Sequence, residues 1–418
     1  MKAPERLDPA QAAFLSDPAL MPVMQAIEEA GGEVRANGGT VRNALLGEPI
    51  RDVDLSTNLT PQHVTEVLQR AGIKVVPTGI EHGTVTAVSK SKGFEITTLR
   101  EDVETDGRRA VVRFGLDWTA DASRRDFTMN ALYCDRRGKV FDPLDGYGDL
   151  VARKVRFIGD PAERIAEDRL RILRFFRFFA WYGHGRPDAD GLRACVSARD
   201  GLRGLSAERI WHEFRRLLEA PDPVRAILWM RQSGILDIVL PECGGWGTDL
   251  VPRLVASETA LGWKADAMLR LMAVMPPRPE SARSAAERLK MSNAEGERLL
   301  FWSEAVLPPL ATTADELRRR LYAGEPRAII DRLMLERARL EGATSERDEA
   351  ARTEVESIIA EARGWQRPAF PIRGKDLVAV GWQPGPEMGR ELARLENAWI
   401  DSGFSLTREA LLAMAKAG

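Results

Sequence analysis

Asn37-Gly38-Gly39-Thr40-Val41-Arg42-Asn43-Ala44-Leu45-Leu46-Gly47 is followed closely by Arg51-Asp52-Val53-Asp54-Leu55. Two glycines close a strand and a helix starts at once, so backbone N–H groups can approach a phosphate at the helix N-terminus. Arg42 falls in the first turn of that helix, within reach of the same phosphate. Asp52 and Asp54 are two apart, which on a strand puts both side chains on one face. Neighbouring carboxylates repel, and a cation between them relieves the repulsion. Mg2+ takes oxygen ligands together with substrate phosphates, and a carboxylate pair is what metal-assisted in-line phosphoryl chemistry needs. A DxD pair alone says little. Asp188-Ala189-Asp190 is a second one, read as solvated surface because it has no glycine partner. The glycine turn and the apolar neighbours Val53 and Leu55 set the first pair apart.

Outward from these runs the chain changes texture. Residues 1–30 read as a capped amphipathic helix. Residues 31–150 mix strand-like runs (Glu33–Ala36, Val53–Leu55, Val85–Val88, Phe94–Thr98, Ala131–Cys134) with glycines and turns. Beyond about 151 helical periodicity takes over, as in Pro161–Trp181, Ser206–Ala220, Asp222–Ser233 and Asp315–Leu321. The expected class is therefore α+β, an α/β head followed by an all-helical remainder. The expected divisions are 1–150, 151–220, 221–340 and 341–418, with Glu341–Thr353 and Gly364–Gly389 as joints.

The run Gly38–Pro61, GGTVRNALLGEPIRDVDLSTNLTP, closely resembles the signature of the class II tRNA nucleotidyltransferases, members of the polymerase β-like superfamily. Their usual pattern is GG-x-VRD-x-LLG followed by DxD. Asn43 stands where the Asp is usual; it keeps the hydrogen-bonding shape and loses the charge, so it is given no ionic role. The resemblance implies a polymerase β-like head at 1–150, a helical neck at 151–220 that reads the base, and a helical body and tail that bind tRNA. It makes Asp52 and Asp54 the catalytic Mg2+ ligands, with Gly38, Gly39 and Arg42 on the triphosphate.

Further motifs follow in the family's order. Phe94–Arg100 alternates like a strand, and by resemblance it lies beside the DxD strand. Glu95 is then either a third catalytic carboxylate or a surface residue of an edge strand. Asp102–Asp117 is a charged loop with a turn at Asp106-Gly107-Arg108, either near the site or merely solvated. Arg124-Arg125-Asp126-Phe127-Thr128-Met129-Asn130-Ala131-Leu132 matches RRDFTxNAL over its length. Arg125 can meet phosphate, while Asp126 and Asn130 can hydrogen-bond ribose hydroxyls; the plain alternative is a capped helix with an internal Arg–Asp pair. Asp142–Leu150 reads as a shaped turn joining head to neck.

On the expected helix Pro161–Trp181, Ile165, Ile172, Phe176 and Phe179 form a buried stripe. Arg164, Asp168 and Arg171 then share a face. They are either a salt-bridged surface or, by resemblance to the family's ED-x-x-R motif, the reader of the incoming base. A carboxylate accepts from an exocyclic amine and an arginine donates to ring nitrogen or carbonyl oxygen. Cytosine and adenine offer that amine, whereas uracil and guanine present a carbonyl there. One acid and one arginine can thus select C and A together without a template. The resemblance extends nucleotide or RNA contact to Arg174 and Arg177. Ser206 is a good N-cap, so the Leu205–Leu218 segment reads as scaffold. In the tail, Gly374–Leu377 and Pro384–Leu392 resemble the C-terminal segment of CCA-adding members.

Global composition narrows the rest. Sixty Lys+Arg against 62 Asp+Glu give a net charge of −2, so RNA contact must come from local basic patches rather than from an overall basic chain. No apolar run is long enough for a membrane helix, and the N-terminus lacks a secretory h-region. The three cysteines are scattered without a CxxC, which speaks against disulfides and a zinc cluster. The expectation is a cytoplasmic protein with no membrane contact. The resemblance implies an enzyme that adds CCA to the 3′ end of tRNA with CTP and ATP as substrates. Rivals are a bacterial poly(A) polymerase, a CC-only or A-only enzyme, and an inactive RNA-binding module. The tail from Gly364 onward carries seven basic and six acidic residues, not the basic extension expected for gripping arbitrary RNA.

Overall fold

The computed structural model describes residues 1–106, 109–115 and 117–416. It divides into two compact units, Met1–Val239 and Leu240–Gly418. The first carries the head and neck ranges and also residues 221–239.

In chain order the head contains α1 (Leu20–Glu29), β1 (Val34–Asn37), α2 (Gly39–Leu46), β2 (Asp54–Thr57), α3 (Pro61–Arg70), β3 (Lys74–Gly79), β4 (Thr84–Ser89), β5 (Lys92–Thr98), β6 (Arg100–Asp106), β7 (Arg109–Phe114), α4 (Trp118–Ser123), β8 (Tyr133–Asp135), β9 (Val140–Phe141) and α5 (Gly146–Val151). Seven strands form one sheet in the order β3-β4-β5-β2-β1-β8-β9. β2 and β5 run parallel and the other neighbours antiparallel. β2 is central, and Leu55, Ser56 and Thr57 are all buried.

Three expectations for the head change. The N-terminal helix is confined to α1, preceded by a short 3-10 turn at Ala13–Ser16. The charged 102–117 loop is instead largely a two-stranded antiparallel ribbon, β6–β7, outside the main sheet. Of its expected turn, Gly107 and Arg108 lie outside the described residues. The RRDFTMNAL run is not a helix of any length, since Thr128–Asn130 is a single 3-10 turn.

Asp142–Leu150 braces that turn. The Asp142 carboxylate accepts from Gly146 N (2.7 Å) and Tyr147 N (3.0 Å), and the Thr128 hydroxyl donates to Asp149 Oδ2 (2.8 Å). Gly146 packs so closely that a Cβ there would fall 2.1 Å from the Thr128 carbonyl oxygen. Gly146→Ala should therefore displace the turn carrying Asn130 and destabilise the protein by roughly 1–3 kcal/mol, as overpacking does. A thermal melt checks this; an unchanged melting temperature would mean that the turn yields freely.

The first unit continues with the neck helices α6 (Pro161–Glu167), α7 (Arg171–Tyr182), α8 (Ala189–Ser197) and α9 (Ala207–Leu218), then α10 (Val224–Gln232) and α11 (Ile235–Val239). The single helix expected over Pro161–Trp181 is broken. Asp168 is extended (φ −149°, ψ 109°), and its Oδ1 accepts from Leu170 N at 3.0 Å. A local side-chain-to-backbone bond of this kind competes with helix continuation. Ile165, Ile172, Phe176 and Phe179 are nonetheless all buried. Phe127 of the head packs on Phe157, Phe175 and Phe178 with ring centroids 4.9–6.4 Å apart, so head and neck share one core. Asp188, expected on the solvated surface, is buried instead; it caps α8 through Gly191 N (3.0 Å) and pairs with Lys154 (3.0 Å). Ser206 occupies the N-cap position of α9, but its side chain makes no capping bond.

The second unit is helical in its described residues, from Leu250–Ala260 to Arg408–Lys416. A buried Arg270–Glu258 pair and an Arg298–Asp331–Arg327 cluster lie in it. The polar stretch expected as a joint opens the long helix Glu346–Gly364, with Ser345 capping through Asp348 N. Among the described residues, no helix is long and apolar enough to cross a membrane.

Candidate active site

The turn between β1 and α2 holds the site together. Gly38 has φ +54° and sits at the N-cap of α2, a conformation that L side chains rarely adopt. Two guanidinium groups flank the turn. A Cβ on Gly38 would lie 3.1 Å from Arg125 Nη1, and one on Gly39 would lie 3.4 Å from Arg42 Nη2. The Thr40 hydroxyl donates to the Asp52 carbonyl (3.3 Å) and accepts from Asp54 N (3.2 Å), tying the first turn of α2 to the DxD segment.

Asp54 opens β2, but Asp52 precedes the strand, so the pair does not alternate on one regular strand as expected. Asp54 stands in register with Glu95 on the adjacent parallel strand. β5 is an interior strand, which removes the edge-strand reading of Glu95. Asp54 stays open to solvent at the head of β2, yet partial desolvation raises its carboxyl above its ordinary range, and the charges of Glu95 and Asp52 raise it further, while Arg125 pulls it down. A carboxylate that its neighbours disfavour is a place where a cation is welcome. Asp52 also lines an open cleft of about 970 Å³ with Arg51, Phe14 and Lys92. Among the described residues, no group of three or more His, Cys, Asp or Glu side chains forms a metal cage on its own. The oxygen-only donors Asp52 and Asp54 nevertheless suit a hard cation that takes the rest of its shell from phosphates and water.

The remaining predicted residues form a chain of polar contacts. Arg125 donates to Tyr133 Oη (3.1 Å), Asn37 Oδ1 (3.0 Å) and Asp121 Oδ2 (3.2 Å), which fix it beside Gly38. Asn130 Nδ2 donates to Asp126 Oδ1 (2.9 Å), and Asn130 Oδ1 accepts from Arg42 Nη1 (2.5 Å). Arg174 Nε and Nη2 donate to Asp126 Oδ2 (2.9 and 2.5 Å). Burial raises the Asp126 carboxyl, but the Arg174 charge and the Asn130 bond outweigh it and hold the group below its usual range. Arg177 is buried on Glu213 (2.5 Å), so it is turned away from solvent.

Asp168 and Arg171 do not pair with each other. Asp168 Oδ2 accepts from Arg209 Nη2 (2.7 Å), and Arg171 reaches Glu167 and the Arg164 carbonyl (2.7 Å). Arg164, expected beside them, donates to the Arg124 and Arg125 carbonyls (2.5 and 2.6 Å). Across the helix break the i, i+4 pair that forms is Arg171 with Glu167, whereas Asp168, extended at the break, turns to Arg209.

Residues 34–156 match the family model described as the poly A polymerase head domain, and 188–244 match that of a probable RNA- and SrmB-binding site of polymerase A. The mitochondrial CCA tRNA nucleotidyltransferase 1 of Mus musculus is 34% identical over 392 residues, covering 92% of this chain and 86% of the relative. The chain belongs to the CCA tRNA nucleotidyltransferase family. The CCA-adding enzyme of Streptococcus gordonii is 32% identical over 95% of this chain and 96% of its own. The crystal structure of the Bacillus stearothermophilus CCA-adding enzyme in complex with CTP superposes with a TM-score of 0.75 at 25% identity, covering 98% of each chain. The α+β fold with a polymerase β-like head and a helical remainder is thus that of this family, and nucleotidyltransferases of this family use a divalent metal ion.

In this nucleotidyltransferase, sequence reading missed several groups that shape the site. Asn37 and Thr40 lie inside the quoted run, and their polarity in an otherwise apolar, small-residue turn was the available signal. Arg209 and Glu213, in the segment read as scaffold, hold Asp168 and Arg177. Tyr182 carried no signal, because its partner Arg42 lies far away in sequence; Asp121 did carry one, since Arg124 and Arg125 stand at i+3 and i+4.

Proposed function

We propose that this chain is a CCA-adding enzyme, which extends tRNA by C, C and A from CTP and ATP without a nucleic-acid template. The observation that carries this reading is the pair of guanidiniums flanking the Gly38–Gly39 turn beside the Asp52/Asp54 carboxylates. It puts an anion cradle next to a cation-binding edge.

In the proposed reaction the terminal 3′-hydroxyl of tRNA attacks the α-phosphorus of the bound nucleotide. A new P–O bond forms, the bond to the bridging oxygen of the β-phosphate breaks, the hydroxyl proton leaves to solvent and pyrophosphate departs. Asp52 and Asp54 are the residues that would hold Mg2+, with Glu95 adding negative charge across the strand register. When bound, the ion supplies charge for the attacking and leaving oxygens. The Gly38 and Gly39 backbone, Arg42 and Arg125 orient the triphosphate. Asp126 and Asn130 face the ribose, with Arg174 holding Asp126. Asp168 and Arg171 read the Watson–Crick edge, the acid accepting from the base amine and the arginine donating to ring nitrogen or carbonyl oxygen.

We assign 1–150 to the catalytic head, 151–220 to the base-reading neck, and the body (221–340) and tail (341–418) to tRNA. The tRNA would be bound by shape and backbone, since A-form helices expose little readable sequence. The three cysteines, all buried as free thiols, support action in the reducing cytoplasm. The test is incorporation of labelled CTP and ATP into tRNA lacking its 3′ end and into an unstructured oligomer. Two C and one A added to tRNA alone is the expected result. Long A tracts on either RNA would establish the poly(A) polymerase reading, and no incorporation on any RNA would leave a binding module.

A further inference from the structure

Tyr182, the last residue of α7, belongs to none of the motifs above. Its hydroxyl accepts a hydrogen bond from Arg42 Nη2 at 2.7 Å, and the Arg42 guanidinium lies over its ring, 4.0 Å from the centroid. Phe178, one turn earlier, lies 5.3 Å from the same guanidinium. On the other side, Asn43 Oδ1 accepts from Arg42 Nε (3.1 Å) and Nη2 (2.9 Å), and Asn130 Oδ1 accepts from Nη1 (2.5 Å). A guanidinium has five N–H groups. Four are engaged here, and the fifth, on Nη1, has no partner among the described residues. Asn43 is itself anchored, donating to the Pro49 carbonyl at 2.8 Å. Asp in its place can accept from Arg42 but has no N–H for Pro49.

Asn43 and Asn130 both belong to the head. Among the hydrogen-bond partners of Arg42, Tyr182 alone comes from the helix that carries Arg171, Arg174 and Arg177. We propose that Tyr182 is a positioning residue that acts through Arg42, aiming its guanidinium at the Gly38–Gly39 turn so that the triphosphate is gripped in register with the base-reading helix. This rests on the reading of Arg42 as a triphosphate ligand. A buried arginine held by both a hydrogen bond and an aromatic face is pre-oriented before the ligand arrives, and pre-orientation improves binding by reducing the ordering cost.

The test is equilibrium binding of CTP and of CMP, with Mg2+, to the full chain as wild type, Tyr182→Phe, Tyr182→Ala, Arg42→Ala and the Tyr182→Phe/Arg42→Ala double variant. Tyr182→Phe keeps the ring and the packing and removes only the hydroxyl, so it is safe for folding. It should weaken CTP by roughly 10- to 150-fold, the range for a hydrogen bond to a charged group, and leave CMP within about twofold. Tyr182→Ala should weaken CTP further. In the Arg42→Ala background, Tyr182→Phe should change CTP affinity by less than about twofold, the non-additivity of two groups acting as one. In turnover, KM for CTP and ATP should rise with kcat nearly unchanged, whereas a merely structural role would lower the melting temperature without this split. Additive effects in the double variant, or CTP binding by Tyr182→Phe as tight as or tighter than wild type, would overturn the inference while leaving the proposed function standing. A wild-type chain that binds no CTP would overturn the function itself, and the inference with it.

Discussion

Replacing Asp52 or Asp54 with alanine should stop incorporation of CTP and ATP alike, by about three orders of magnitude or more. That is the expected loss when several kcal/mol of charge stabilisation disappear at about 1.4 kcal/mol per tenfold. Binding of tRNA should be nearly unchanged, because the proposed RNA contacts lie on the helical remainder. Activity in the double variant within about tenfold of wild type would remove the assignment of these carboxylates.

Asp54 also allows a stability measurement that does not depend on turnover. Its carboxyl is raised by partial desolvation and by Glu95 and Asp52, so the folded chain holds the proton more tightly than the unfolded chain. Its contribution to stability is therefore greatest at low pH and falls as pH rises from the unfolded value, near 3.9, through the raised folded one. At neutral pH without metal the ionised group opposes folding. Asp54→Asn should then melt higher than wild type at neutral pH, with the gain vanishing at acid pH. Added Mg2+ should raise the wild-type melting temperature and leave the variant's unmoved. Equal melting of the two proteins at neutral pH would contradict the crowded-carboxylate picture.

Asp168→Ala should raise misincorporation of UTP or GTP relative to CTP and ATP. A good bidentate base contact provides roughly 1–3 kcal/mol of discrimination, a factor of about five to 150. The Asp168 carboxylate is partly exposed and already bonded to Arg209, so one oxygen is oriented while the carboxylate keeps further lone pairs for a base amine. Its removal should also lower the correct rates. The stability loss should stay within about 2 kcal/mol, the range for losing one side-chain-to-backbone bond of the capping kind together with a partly exposed ion pair. Retained selectivity with only a lowered melting temperature would make Asp168 scaffold, and would move base selection to Arg125, Asp126 and Asn130.

Most of the sheet was legible because β1, β2, β4 and β5 show the short apolar patterns of half-buried strands. β3 was not, since Pro77 interrupts Lys74–Gly79. Proline is tolerated there because β3 is an edge strand, where an N–H lost from the outer side breaks no ladder bond. The β6–β7 ribbon was missed because its many charges look like loop composition, although a ladder is made by the backbone. The site residues were legible as types and in order. Their partners were not: Arg174 meets Asp126 and Asp168 meets Arg209 across long stretches of chain, and no local pattern encodes such a choice. The helix break at Asp168 was hidden for the opposite reason. It is purely local, and the apolar stripe continues through it.

That break has a consequence for how the enzyme tolerates change in length. In an unbroken helix, adding or removing one residue rotates everything downstream by about 100°, which would swing the arginines of α7 off their target. Here the extended Asp168 ends one helix and its side chain holds the turn that leads into the next, so angular phase is reset at that point. A single-residue insertion in the exposed turns of α6 can be absorbed ahead of Asp168, whereas the same insertion after Arg171 would re-aim Arg174 and Arg177. The interruption works as a joint in a shaft, isolating the alignment of one segment from errors accumulated in the other.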